Sequence, residues 1–133
     1  MTNHVHLALK TDDLETLSQF AYFTQRRYAY YYFKTYRWSE QVFRRNFGSI
    51  PINNDTYLLE CARYIERNPL KAKLVKDLKD YSYSSYAFYA FGKRDNLISE
   101  SPIYSSLGRS RYERMAAYRW YVNHQRVELK KME

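Results

Sequence analysis

Two histidines near the start of the chain, His4 and His6, are separated by the single apolar residue Val5 in the stretch "NHVHLAL". In a strand, alternate side chains point the same way, so both imidazoles would share one face while Val5 takes the other. Two imidazoles on one face can share a metal ion, although two ligands make a weak site. Taken alone, a His-X-His pair is more often ordinary surface or core polarity than a metal site.

A helix predicted over residues 54–68 supplies further candidates. Its apolar stripe follows the i, i+3, i+4, i+7 spacing and consists of Leu58, Cys61, Ala62 and Ile65. Tyr64 and Asn68 are four residues apart on one flank of this stripe, so they are neighbours. A helix packed by its apolar stripe could place that flank near the histidine segment. The alternatives are that Tyr64 only packs and that Asn68 only caps the turn that Pro69 begins.

The remaining patterns predict the elements that must position these residues. "HVHLALK" alternates and predicts a strand over residues 3–10. A helix capped by Thr11 or Asp12 is expected to run to about residue 34. Asn68-Pro69 should end the 54–68 helix, because the residue before proline is disfavoured in helical conformation. Further predictions are an extended segment over 41–52, a short helix from Pro69 to about residue 75, a short helix stopped by Gly92, and a final helix over 110–129.

Composition limits the kind of partner. The formal net charge is +8 and there are 16 tyrosines. Residues 20–50 carry six basic residues against one acidic residue, which is typical of a surface that binds a polyanion. Tyrosine rings add flat faces on which unpaired bases can stack. A tyrosine-rich core with solvated basic residues explains the composition equally well.

The 133 residues predict a single domain, with 93–133 as a helical C-terminal extension. The one cysteine, Cys61, excludes an intramolecular disulfide and suits the reducing cytoplasm. No stretch has the features of a signal peptide or the length of a membrane span, so no membrane partner is expected.

Several stretches together resemble one family, the single-tyrosine HUH transposases, and within it the REP-associated tyrosine transposases. They are "TNHVHLAL", "VFRRNFGSIPI", "YLLECARYIERNPLKAKLV", "YSYSSYAFYAFG" and "SPIYSSLGRSRYERMAAYRWYV". The order Asn-His-hydrophobic-His followed by Tyr-Ile-X-X-Asn-Pro is specific, whereas either motif alone is not. The resemblance implies an α+β fold, a ferredoxin-like antiparallel sheet with packed helices.

The resemblance also implies roles for individual residues. His4 and His6 would be metal ligands, Asn68 the third ligand, and Tyr64 the catalytic nucleophile that forms a covalent 5′-phosphotyrosine link. The implied cofactor is Mg²⁺ or Mn²⁺, although imidazole ligands by themselves favour Mn²⁺ or Zn²⁺. The implied substrate is single-stranded DNA beside a hairpin. The residues expected to hold DNA are Arg26, Arg27, Arg44, Arg45, Tyr28 and Tyr31.

One departure from the family concerns the start of the chain. Family members begin well upstream of the histidine strand, with an opening strand and helix, and Thr2 stands where proline is common. The first strand and helix are therefore expected to be missing, which would leave the strand at residues 3–10 with an unpaired edge. A second copy could cover that edge, so a homodimer is expected. The rival functions are a non-catalytic single-stranded nucleic-acid binding remnant and a hydrolase that activates water at His4 and His6.

Overall fold

The computed structural model describes residues 3–124, which form α-helices, short 3₁₀ helices and irregular segments. The α-helices are α1 (Leu14–Tyr36), α2 (Asp55–Lys71), α3 (Tyr86–Phe91) and α4 (Arg111–Asn123). The 3₁₀ helices span Leu78–Asp80 and Pro102–Leu107. No β-strand occurs within residues 3–124, so the predicted ferredoxin-like antiparallel sheet is wrong.

The predicted strand over residues 3–10 is an irregular segment. A strand is held by hydrogen bonds to a neighbouring strand, and no such ladder exists in the described part of the chain. The alternating pattern also predicts a buried face for Val5, whose surface is instead 74% exposed. An unpaired strand edge at residues 3–10 is therefore no longer a reason to expect a homodimer. The homodimer itself stays a prediction.

The first predicted helix is confirmed as α1, with its start shifted by a residue or two. Asp13 caps it rather than Thr11 or Asp12, because Asp13 Oδ1 accepts a hydrogen bond of 2.6 Å from the backbone N–H of Thr16. Arg37 ends the helix in the left-handed region, with φ 54°.

The second predicted helix is confirmed at its start but not at its end. Asn54 Oδ1 accepts a 2.8 Å hydrogen bond from the backbone N–H of Tyr57 and so caps α2. The helix then continues through Pro69 to Lys71, so the predicted break at Asn68-Pro69 is wrong. Pro69 has no N–H to donate, so one backbone hydrogen bond is absent at this point, and the helix ends two residues later. The short helix predicted from Pro69 is the last turn of α2.

The later helices follow local signals. Gly92, with φ 67°, stops α3 as predicted, since a left-handed residue at a helix end suits glycine. Ser110 and Glu113 form a capping box that starts α4. The helix predicted over 110–129 ends at Asn123, and its predicted residues 125–129 lie outside the described part of the chain.

The chain divides into two compact units. The core unit comprises Met1–Ala8 and Ile52–Glu133, and the α1 unit comprises Leu9–Pro51. The single-domain assignment stays a prediction. Residues 125–133 of the predicted C-terminal extension are not described, while α4 within that extension packs against α2 and α3.

Tyrosines dominate the buried centre of the core unit. The ring of Tyr89 contacts those of Tyr104 and Tyr118, with centroid separations of 4.9 and 5.0 Å. Their hydroxyls find partners, since the Tyr104 hydroxyl donates to the Tyr89 carbonyl at 2.7 Å and the Tyr89 hydroxyl donates to the Ser99 carbonyl at 2.9 Å. Paired hydroxyls allow tyrosine to serve as a core residue. The buried apolar set is Leu78, Tyr86, Tyr89, Ala90, Tyr104, Tyr118 and Val122.

A single carboxyl group, Glu66 of α2, is buried among these tyrosines and only 1% exposed. Its Oε1 accepts from the Ser85 hydroxyl at 2.5 Å and from the Tyr118 hydroxyl at 3.3 Å, while Oε2 has no hydrogen-bond partner. Burial raises the pKa of Glu66, and burial together with the Glu66 charge raises the pKa of Tyr118 well above its ordinary value. The neutral acid is therefore favoured at Glu66.

The α1 unit differs from the core unit in burial, because α1 contains no buried residue. The segment after α1 folds back along it: Phe43 contacts the ring of Tyr28 at 5.8 Å, and Trp38 contacts the ring of Tyr32 at 6.3 Å. These contacts leave an open groove between α1 and residues 38–43, whose walls carry aromatic residues, one basic residue, Arg26, and one acidic residue, Glu40. Within residues 3–124 no helix is both long and apolar enough to cross a membrane.

Candidate active site

The two histidines lie side by side in the core unit. Their ring centroids are 4.9 Å apart, with the ring planes nearly perpendicular at 82°. Nδ1 of His4 is 2.6 Å from Oδ1 of Asn3. An amide oxygen can only accept, so Nδ1 of His4 is the donor in this contact, which leaves Nε2 as the nitrogen that could bind a metal. A hydrogen bond of this kind orients metal-binding histidines and sets their tautomer.

The centroid spacing of the two rings is compatible with a shared metal ion, and it is equally the spacing of an ordinary edge-to-face ring contact. A metal–nitrogen bond of about 2.1 Å places each ring centroid about 3.2 Å from the ion, so two rings at angles between about 90° and 110° are separated by about 4.5 to 5.2 Å. The observed 4.9 Å lies within that interval. The donor set of two imidazole nitrogens suits Mn²⁺ or Zn²⁺ and accepts Mg²⁺ less readily.

Tyr64 lies next to this pair. The rings of His6 and Tyr64 are in edge-to-face contact, with centroids 5.5 Å apart and an interplanar angle of 78°. Tyr64 is 50% exposed, so the residue can be reached from solvent. Burial, and next the neighbouring His4, lower the pKa of His6, which favours the neutral imidazole that a metal requires. The structure thus joins His4, His6 and Tyr64 in one cluster.

Asn68 is less closely tied to the histidines. It lies one turn after Tyr64 on α2 and is only 8% exposed. Its side-chain Nδ2 is buried without a hydrogen-bond partner, and no hydrogen bond joins it to His4 or His6 in the described structure. Its role as third metal ligand stays a prediction. Among residues 3–124, no group of three or more His, Cys, Asp and Glu side chains could hold a metal ion.

Lys71 is a member of the cluster that the motifs did not identify. Its Nζ lies 4.9 Å from the centroid of the Tyr64 ring, within the range of a cation–π contact. The two residues are seven apart on α2 and therefore share a face. That spacing is readable in the sequence only if the helix continues through Pro69, and the predicted helix ends one residue before the proline. The wrong helix end therefore hid Lys71.

The residues predicted to bind DNA all belong to the α1 unit and are all exposed. Tyr28 lies against Tyr31, with ring centroids 6.3 Å apart. Arg26 donates to the Tyr22 hydroxyl at 3.2 Å, and Arg26 and Tyr22 both line the groove along α1. Arg27 lies on α1, whereas Arg44 and Arg45 lie in the irregular segment that follows it.

Comparison with known proteins adds no relative to these observations. No protein-family model, no curated protein and no solved structure matches the chain. The resemblance to the single-tyrosine HUH transposases therefore stands on the quoted motifs, and the function has to be argued from the site itself.

Proposed function

We propose that this protein cleaves single-stranded DNA and transfers the strand through a covalent 5′-phosphotyrosine intermediate on Tyr64. The observation that carries the proposal is the contact between His6 and Tyr64, with ring centroids 5.5 Å apart. Residues from the two separate sequence segments of the core unit meet there: one belongs to a pair of adjacent histidines, and the other is a half-exposed tyrosine. A cleavage reaction that uses a tyrosine nucleophile and a divalent ion needs this combination.

The reaction has two balanced steps. In the first, the Tyr64 phenol oxygen forms a bond to phosphorus and loses its proton, while the bond to the 3′-oxygen breaks and that oxygen is released as a hydroxyl. In the second, a 3′-hydroxyl attacks the phosphotyrosine, rejoins the strand and returns the proton to Tyr64. Both steps exchange one phosphodiester for another, so no ATP is needed.

The histidines would hold the ion that the proposal requires. His4 offers Nε2, because its Nδ1 donates to Asn3, and His6 is favoured in its neutral form. A divalent ion bound there, Mn²⁺ or Mg²⁺, would offset the negative charge that develops on the phosphoryl oxygens. Tyr64, which is half exposed and in contact with His6, would supply the attacking hydroxyl.

The α1 unit supplies the proposed means of binding DNA. Its exposed arginines can neutralise phosphates, and its exposed tyrosines offer faces for unpaired bases. These residues do not depend on the Tyr64 cluster, which supports a second candidate function, non-covalent binding of single-stranded nucleic acid without cleavage.

Covalent capture tests the proposal. The protein is incubated with labelled single-stranded hairpin DNA and Mn²⁺, and then separated under denaturing conditions. We expect a DNA–protein adduct that Tyr64→Phe abolishes and that Tyr57→Phe retains. Tyr57 is a matched control because it is also exposed on α2, at 41%.

The other outcomes identify the alternatives. Binding without adduct or cleavage in the unmodified chain would favour the binding module. Cleavage without adduct that survives Tyr64→Phe and is lost in His4→Ala would favour a hydrolase that activates water at the histidines.

A further inference from the structure

We propose that Lys71 and Asn68 form a phosphate-binding pair beside Tyr64, which holds the DNA backbone against the nucleophile. The three residues lie at positions i, i+4 and i+7 of α2 when counted from Tyr64, within an arc of about 60° of the helix surface. The inference rests on the proposed function for the identity of its ligand, a phosphodiester of single-stranded DNA.

Lys71 is a cation that the fold leaves available. Its Nζ lies 4.9 Å from the Tyr64 ring centroid, and it forms no ion pair within the described residues. Lys71 and Tyr64 are both exposed, so an ammonium and a phenol can be approached from solvent together. An ammonium group binds phosphate as a compact point charge.

Asn68 contributes the second observation. The residue is only 8% exposed, and its buried Nδ2 has no hydrogen-bond partner. A buried hydrogen-bond donor without an acceptor is rare in folded proteins, so an acceptor is expected to bind there. A metal ion would take the amide oxygen, which leaves the N–H group still unpaired. An anionic oxygen that reached this donor would satisfy it, and Asn68 lies three residues before Lys71 on the same flank of α2.

The rival explanation for Lys71 is purely structural. It lies at the C-terminal end of α2, where a positive charge offsets the helix dipole, and its contact with Tyr64 stabilises the helix surface. A structural role predicts altered stability on substitution. It does not predict that DNA shields the ammonium group.

The decisive experiment measures that shielding. The Tyr64→Phe chain, which cannot form the adduct, is treated with an amine-reactive reagent with and without a short oligothymidylate, and modification of each lysine is followed by mass spectrometry. We expect DNA to slow modification of Lys71 severalfold and to leave Lys76 unchanged. Lys76 is the matched control, since it is exposed a few residues after α2. Equal rates at Lys71 with and without DNA would overturn the inference.

Two substitutions give an independent readout. Loss of one phosphate contact in Lys71→Met should flatten the log–log salt dependence of DNA binding by about 0.7, whereas Lys71→Arg should keep the slope. Asn68→Asp keeps an oxygen ligand but replaces the N–H donor by a negative charge. It should therefore weaken DNA binding by about tenfold or more without weakening Mn²⁺ binding. Unchanged DNA affinity in both Lys71→Met and Asn68→Asp would contradict the pair.

Failure of the inference can be told from failure of the proposed function. If DNA protects Lys71 but the unmodified chain never forms an adduct, the phosphate site stands and strand transfer is wrong. If the adduct forms while Lys71 is modified equally fast with and without DNA, strand transfer stands and the phosphate pair is wrong.

Discussion

The imidazole of His6 meets the ring of Tyr64 edge to face, with centroids 5.5 Å apart. Taken alone, the histidine pair can be explained as ordinary surface polarity and Tyr64 as a packing residue. Together with His4, they place two imidazole rings beside a half-exposed tyrosine. This juxtaposition makes the predictions about metal binding and DNA cleavage specific.

Replacing Tyr64 by phenylalanine should leave folding and non-covalent DNA binding intact. Tyr64 is half exposed, and its recorded contacts are ring contacts with His6 and Lys71 that phenylalanine can also make, so the free energy of unfolding should change by less than about 0.5 kcal/mol. Urea unfolding and fluorescence anisotropy with a labelled hairpin would measure the two quantities. A large loss of stability would assign Tyr64 a packing role.

Replacing His4 or His6 by alanine should weaken Mn²⁺ binding by at least about tenfold, since each removes one of the two proposed nitrogen ligands. Val5→Ala is the control within the same segment. Because Val5 is 74% exposed, its replacement should change neither metal affinity nor stability appreciably. Calorimetric titration of the three variants with Mn²⁺ would measure these affinities. Unchanged Mn²⁺ affinity in both histidine variants would eliminate the metal site.

Replacing both Arg44 and Arg45 by alanine should reduce the log–log salt slope of single-stranded DNA binding by about 1.4 if each contacts a phosphate. Both side chains are exposed in the α1 unit. The control removes equal charge from the core unit with Lys76→Ala and Lys93→Ala. An unaltered slope in the Arg44 and Arg45 variant would place the DNA elsewhere on the protein.

Glu66 should make the stability of the protein depend on pH. Burial raises the pKa of this carboxyl above its ordinary value of 4.5, so the folded chain holds the proton more tightly than the unfolded chain does. The stabilisation is therefore complete below about pH 4.5 and is lost as the pH rises through the higher folded pKa. Each unit of difference between the two pKa values corresponds to about 1.4 kcal/mol.

Glu66→Gln should remove this loss, because glutamine imitates the neutral acid and cannot ionise. Urea unfolding in the presence of a chelator, at several pH values between about 4 and 8, would compare the two chains. Glu15→Gln, an exposed position on α1, is the control and should keep the loss. A Glu66→Gln chain that loses stability with rising pH as steeply as the unmodified chain would refute the assignment.

Local sequence predicted the helices well because a helix satisfies its own backbone hydrogen bonds within a few residues. The capping groups at the start of α1 and α2 and the stop at Gly92 are all local signals of this kind. The exception is Pro69: the general disfavour for a helical residue before proline predicted a stop, yet α2 continues two residues beyond it. The misplaced end concealed the relation between Tyr64 and Lys71.

The sequence alone determined which residue types are available for chemistry: a His-X-His pair, a tyrosine with an amide four residues later, and a basic, tyrosine-rich stretch. Only the tertiary structure decided that residues 3–10 have no strand partner within the described chain, that His6 meets Tyr64, and that Glu66 is buried among tyrosines. The physical reason is the same in each case. Strand pairing, ring contact and burial depend on groups that are distant in sequence, and residue spacing contains no information about which distant groups will be neighbours.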